Sequence, residues 1–187
     1  MARTRSSAQL VQAALELVAE AGLDRLTLTQ VAAHAGVSRA TAYREFGDKD
    51  GLLAAIAQQE IGTMIAATLA EVDPRADPAT QLTSIVTAAL RYLRHHRAFR
   101  YIRDHEPHWL LYAGLPVGGG QPARMNLVRT VASMVAPTIP DTGELALSPL
   151  AAAEVVVRTV LSHVLIEDSA LTDEEVAAVV SRAITRR

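Results

Sequence analysis

The sequence predicts an all-α fold of about nine helices, on three observations. Along most of the 187 residues, apolar positions recur three and four apart. No alternating apolar run of strand length survives anywhere. Half of the residues are apolar and only 4% aromatic, so alanine, valine and leucine must fill the core; this composition favours helices and excludes a disordered chain.

The first helix is expected over Leu10 to Ala21, where Leu10, Val11, Ala14, Leu17, Val18 and Ala21 share a face. Ser6 with Gln9 makes a capping box ahead of it and Gly22 a stop. Thr27 and Gln30 repeat the start signal for a short helix ending near Ala35, and Ser38 caps another that runs to Phe46. After Gly47 a long pattern of Leu53, Ile56, Ile61, Met64, Ile65, Thr68, Leu69 and Val72 continues until Asp73-Pro74 breaks it. Asp77-Pro78 is an N-cap followed by proline, and Leu82, Ile85, Val86, Ala89, Leu90 and Leu93 give the next helix its buried stripe. A short helix follows around His95 to Asp104, ended at Glu106-Pro107 because the residue before proline avoids the helical region. The glycine-rich stretch Gly114 to Pro122 is the most loop-like. The remaining helices are expected at Ala123 to Val135, Ser148 to Asp168 and Thr172 to Arg186, the last opened by a capping box of Thr172 and Glu175. The break near Gly47 is the candidate domain boundary, which puts a three-helix domain at residues 1–47 and a larger helical domain at 48–187.

The informative feature is the pair of short helices joined by Ala35-Gly36-Val37-Ser38. Gly36 is free to take the left-handed conformation of a tight turn, Ala32 and Ala35 let the two helices cross closely, Val37 seals the apolar side and Ser38 caps the second helix. This is a helix-turn-helix, and its second helix presents Arg39, Thr41, Tyr43 and Arg44, side chains suited to base edges and phosphates in a major groove. From Leu28 through Ala35-Gly36-Val37-Ser38, Thr41, Tyr43, Phe46 and Lys49 to Leu52-Leu53, the segment resembles the DNA-binding part of the TetR family of transcriptional regulators. The resemblance implies that Arg39, Ala40, Thr41 and Arg44 face the groove behind the cap Ser38, while Thr29, Tyr43 and Lys49 bind phosphates. Two positions depart from the family's pattern. Ala42 stands where a larger aliphatic is usual, and Glu45 where a neutral or basic residue is common; a carboxylate there repels phosphate, accepts from a cytosine amino group or pairs with a neighbouring arginine. Length and helix count extend the resemblance to the rest of the chain.

Composition narrows the function further. With 18 basic and 20 acidic residues the net charge is −2, so no global positive field draws the protein onto nucleic acid and any contact must be local. Between Arg25 and Asp50 four basic residues outweigh three acidic ones by only +1, which leaves specificity to a few contacts, doubled by dimerisation and aided by Arg3 and Arg5. The absence of cysteine excludes disulfides, thiolate catalysis and cysteine-ligated zinc, and makes a cytoplasmic location the expectation. No phosphate-binding glycine loop, nucleophile elbow or paired catalytic carboxylates are found, so no enzyme and no cofactor are expected. His95, His96, His105 and His108 lie near Asp104 and Glu106, but Pro107 interrupts them and no ligands pair at helical spacing, so no metal is assigned. No membrane association is expected either, Ala151 to Ile166 being the most apolar candidate run and broken by Glu154, Arg158 and His163.

The helix from Ser148 carries Val155, Val156, Val157, Val160, Leu161, Val164 and Leu165 around most of its circumference, which points to a homodimer through the helices near 148–168 and 172–186. The resemblance also implies an effector cavity in the larger part, lined by Tyr92, Tyr101, His105, Trp109, Tyr112, Met125, Arg129 and His163 and suited to a small organic ligand. The expected function is therefore a sequence-specific DNA-binding transcriptional regulator, a repressor released from its double-stranded operator by such an effector. The alternative is a helical ligand-binding or scaffold protein that does not use its helix-turn-helix on DNA.

Overall fold

The computed structural model describes residues 5–114, 127–139, 143–166 and 168–186, with side chains for all of these except 111–114. Among the described residues there are ten α-helices and no strand: α1 (Arg5–Ala21), α2 (Leu28–His34), α3 (Arg39–Phe46), α4 (Lys49–Leu69), α5 (Pro78–His95), α6 (Arg97–His105), α7 (Pro107–Gly114), α8 (Leu127–Val135), α9 (Pro149–Leu165) and α10 (Asp173–Ile184). One 3-10 turn, Ala136–Thr138, follows α8. The fold is all-α, as the periodicity predicts.

The starts of the helices follow the capping residues closely. Thr27, Ser38, Ser148 and Thr172 each stand in extended conformation and accept a backbone N–H from three residues on. At Thr172 the box is complete, because Glu175 returns a carboxylate to the Thr172 N–H at 2.8 Å. Two starts differ. Ser6 lies inside α1, which is already helical at Arg5, so Ser6 and Gln9 do not open it. Pro107 opens α7 as well as following the end of α6, since a proline that cannot continue one helix is preorganised for the first position of the next.

The chain divides into two compact units. The first takes Met1–Gly62 together with His96–Leu110, and the second Thr63–His95 with Leu111–Arg187. The first unit thus reaches beyond residues 1–47 and includes α6 and the start of α7. Its core is built from Leu10, Val11, Ala14 and Val18 of α1, Val31 and Ala32 of α2, Ala42 of α3, Leu52 and Ile56 of α4 and Ala98 of α6, all buried. By length and composition alone α4 is, among the described residues, the helix long and apolar enough to cross a membrane. Its first half is nevertheless committed to this core through Leu52 and Ile56.

In the second unit α5 packs on α10 and α9, and α9 on α8. Leu82, Ile85, Val86, Ala89 and Leu90 of α5 meet Ala152, Val156, Val160 and Val164 of α9 and Val176, Ala177, Val180 and Ile184 of α10 in the buried set. Of the α9 residues expected to require a partner, Val156, Val157, Val160 and Val164 are buried within the chain itself and Leu165 is exposed, as are the neighbouring Leu150 and Ile166. Ser181 of α10 donates its hydroxyl to the Ala79 carbonyl at 2.7 Å, tying α10 to the first turn of α5.

Candidate nucleic-acid interface

The helix-turn-helix is assembled by local hydrogen bonds. Gly36 has φ +67°, and the Val37 N–H reaches the Ala32 carbonyl at 3.0 Å, which closes the turn over the end of α2. Ser38 then accepts the Thr41 N–H at 3.1 Å, and the Ser38 and Thr41 hydroxyls share a hydrogen bond at 2.9 Å. Thr27 opens α2 in the same way, accepting the Gln30 N–H at 3.2 Å and donating its hydroxyl to the Gln30 side-chain oxygen at 2.7 Å.

Ala42 is the residue of α3 that is fully buried, at 0% exposure, so the small side chain seats α3 directly on the core of its unit. The opposite face is open: Arg39, Ala40, Tyr43 and Arg44 are exposed, Thr41 and Glu45 half-buried. Arg39 and Arg44 make no ion pair among the described residues, leaving both guanidinium groups available to an anionic partner. Thr29 is half-buried in the first turn of α2.

Lys49 is used within its unit. Its Nζ donates to the Leu23 carbonyl at 2.6 Å and the Asp24 carbonyl at 3.3 Å, and lies 5.8 Å from the centre of the Trp109 ring. The same short loop is gripped by α6 and α7. Glu106, only 6% exposed, accepts the Leu23 N–H at 2.6 Å and the Asp24 N–H at 3.1 Å. Trp109 donates its indole N–H to Asp24 at 2.9 Å, and His108 approaches the same oxygen at 3.3 Å. The Trp109 hydrogen bond, helped by His108, holds the Asp24 carboxyl below its usual range. Nothing local in the sequence announces Glu106: its loop partners stand 83 and 82 residues away.

The residues expected to line an effector cavity fall in both units. Tyr101, His105 and Trp109 belong to the first, where Tyr101 stacks on His105 at 4.5 Å and Trp109 serves Asp24. Tyr92, Arg129 and His163 belong to the second. There His163 bonds Asp173 at 3.0 Å, and Arg94 grips the same carboxylate with two hydrogen bonds at 3.0 and 2.8 Å. Met125 and most of the Gly114 to Pro122 loop lie outside the described residues, as does the side chain of Tyr112. Nearby, Arg91 pairs with Glu71, Arg94 with Asp173 and Arg103 with Asp104.

A capped second helix set on a glycine turn, with its polar face open and its buried alanine seated on the core, defines a helix-turn-helix protein. Residues 10–56 match the family model of bacterial regulatory proteins, tetR family. It is 43% identical over 82 residues to the HTH-type transcriptional regulator BetI of Burkholderia ambifaria, a match covering 43% of this chain and 42% of that protein. The matched segment thus spans less than half the length of such curated relatives. Among solved structures, the TetR family repressor AlkX of Dietzia sp. superposes with a TM-score of 0.70 at 18% identity, over 97% of this chain and 94% of that one. The repressor QsdR of R. erythropolis gives 0.62 at 19% identity, over 97% and 96%. At such identities the likeness is one of fold. The family and these relatives are regulators of transcription, not enzymes.

Proposed function

We propose that the chain is a sequence-specific DNA-binding transcriptional regulator that acts as a homodimeric repressor and leaves its operator when a small organic effector binds the second unit. The observation that carries the DNA reading is the open face of α3, where Arg39, Ala40, Tyr43 and Arg44 stand exposed above a helix fixed by the Ser38 cap and buried Ala42. In this reading Arg39, Ala40, Thr41 and Arg44 meet base edges, while Thr29, Ser38 and Tyr43 meet the backbone.

Dimerisation is supported by the exposed apolar residues Leu150, Leu165 and Ile166 on and beside α9 and Val179 on α10, which a second copy would cover. An effector site is supported by Thr68, buried at 6% exposure in the second half of α4, whose hydroxyl meets no hydrogen-bond partner among the described residues. The effector in this reading is apolar or aromatic with at most one polar end, and it shifts the protein toward a state whose two helix-turn-helix units no longer match successive major grooves.

The test is an anisotropy titration, at several salt concentrations, with duplex DNA from upstream of the protein's own gene. Tight binding that exceeds binding to scrambled duplex supports the reading; binding that depends on salt but ignores sequence would leave a protein that does not use its helix-turn-helix as a reader. A thermal-shift screen of small apolar and aromatic compounds, with each hit returned to the titration, tests release. Hits that raise the melting temperature and leave DNA affinity untouched would remove the switch.

A further inference from the structure

We propose that Lys49 and Glu106 are positioning residues for DNA binding, a two-part clasp that fixes the loop leading into the helix-turn-helix without either side chain touching DNA. The inference rests on the DNA-binding reading above and deepens it. The loop from Gly22 to Thr27 joins α1 to α2, so its shape sets where α2, and α3 packed on it, stand on the rest of the first unit. Two consecutive residues of that loop are held by both of their backbone polar groups. Glu106 takes the N–H groups of Leu23 and Asp24, at 2.6 and 3.1 Å; Lys49 takes their carbonyls, at 2.6 and 3.3 Å. Each bond has one charged member, the stronger class of hydrogen bond, and Glu106 is buried, so releasing it would strand a carboxylate.

The surroundings are shaped for this clasp. Gly22 has φ +81°, and a Cβ there would run into the Glu106 carboxylate and the Tyr101 ring. Trp109 and His108 hold the Asp24 side chain, and the Trp109 ring lies beneath the Lys49 ammonium. Two of the three N–H groups of the ammonium are directed at backbone carbonyls of the loop. That is a different use from the phosphate contact that the family resemblance implies for Lys49.

The two roles differ in one measurable respect. Removing a phosphate contact lowers the slope of log affinity against log salt by about one, because one fewer counterion is released; removing a positioning contact lowers affinity at every salt and leaves the slope alone. The experiment uses the full chain as parent, Lys49→Met, Glu106→Gln and the double variant. Each is titrated across a salt series with a selected operator duplex and a scrambled duplex, and amide hydrogen exchange is followed at Leu23 and Asp24. Each single variant is expected to bind both duplexes about tenfold more weakly with an unchanged slope, and to exchange faster at the two amides. The double variant is expected to fall well short of the product of the single effects, because both grip the same two residues. A slope lowered by about one in Lys49→Met would return the lysine to the phosphates and overturn the inference. So would folded variants with lower melting temperatures but parental affinity, which would make both residues merely structural. Failure of the parent itself to bind either duplex would sink the regulator reading and the inference with it. That outcome is distinct from failure of the inference alone, in which the parent binds and the variants match it.

Discussion

Arg39 and Arg44 stand on α3 with exposed guanidinium groups and no ion pair among the described residues, so an arginine removed there costs the free protein little. Arg39→Ala is expected to relax preference at particular base pairs, by about 1–3 kcal/mol for each base the arginine reads, as measured from affinities for single-base variants of a selected operator. A drop in affinity equal for all variants would instead place Arg39 on the backbone. Asp173 makes a prediction of the opposite kind, about stability. The two hydrogen bonds from Arg94, then its charge and the hydrogen bond from His163, hold the Asp173 carboxyl below its usual range against the opposing effect of burial. A carboxyl depressed by folding stabilises the fold above its unfolded pKa of about 4, and loses that contribution as the pH falls through the folded value. Asp173→Asn is therefore expected to lower the melting temperature at neutral pH, with the gap to the parent closing as the pH drops below about 4. A gap that stays constant through that range would show that the Arg94 pairing contributes nothing.

At the level of elements, helix starts are legible in the sequence because their signals are local. Ser38 reaches Thr41 and Thr172 reaches Glu175 within one turn, and a positive-φ glycine at 36 needs no distant partner to be recognised. The start of α7 is hidden for the same reason in reverse, since Glu106-Pro107 carries a stop signal and a start signal on adjacent residues and the stop masks the start. Glu106 itself has no local signature, its hydrogen bonds being made across more than 80 residues. The apolar girth of α9 is legible but not its partners, because periodicity reports how much surface is buried and not against which chain. The cap on α3 makes a direct test. Ser38→Ala removes the acceptor of the Thr41 N–H and its hydroxyl partner, and is expected to destabilise the chain by about 1 kcal/mol in denaturant unfolding while weakening DNA binding. Reduced stability with unchanged affinity would mean that DNA rebuilds the first turn of α3 on contact.

For the whole molecule, the pairing of two copies proposed above is tested at exposed side chains and not at buried ones. Val157 is buried within its own chain, so a charge there would unfold the protein and say nothing about a partner. Ile166, 63% exposed, and Leu150, 50% exposed, are the informative positions. Ile166→Glu or Leu150→Glu is expected to leave the fold intact and to shift sedimentation toward the single chain; a dimer undisturbed by both would place the interface elsewhere. The path of the chain carries a further consequence. It enters the first unit, leaves it after Gly62, returns at His96 and leaves again after Leu110. In the function proposed above, the first unit is a head that reads DNA and the second a body that senses an effector, so heads are exchanged between proteins only by cutting where the two units part. Here one cut after residue 62 would strip the head of α6 and of the buried carboxylate that grips its first loop. A chimera joined at that single point would set one protein's loop against another protein's grip, and faithful exchange requires three junctions, with residues 96–110 travelling with the head.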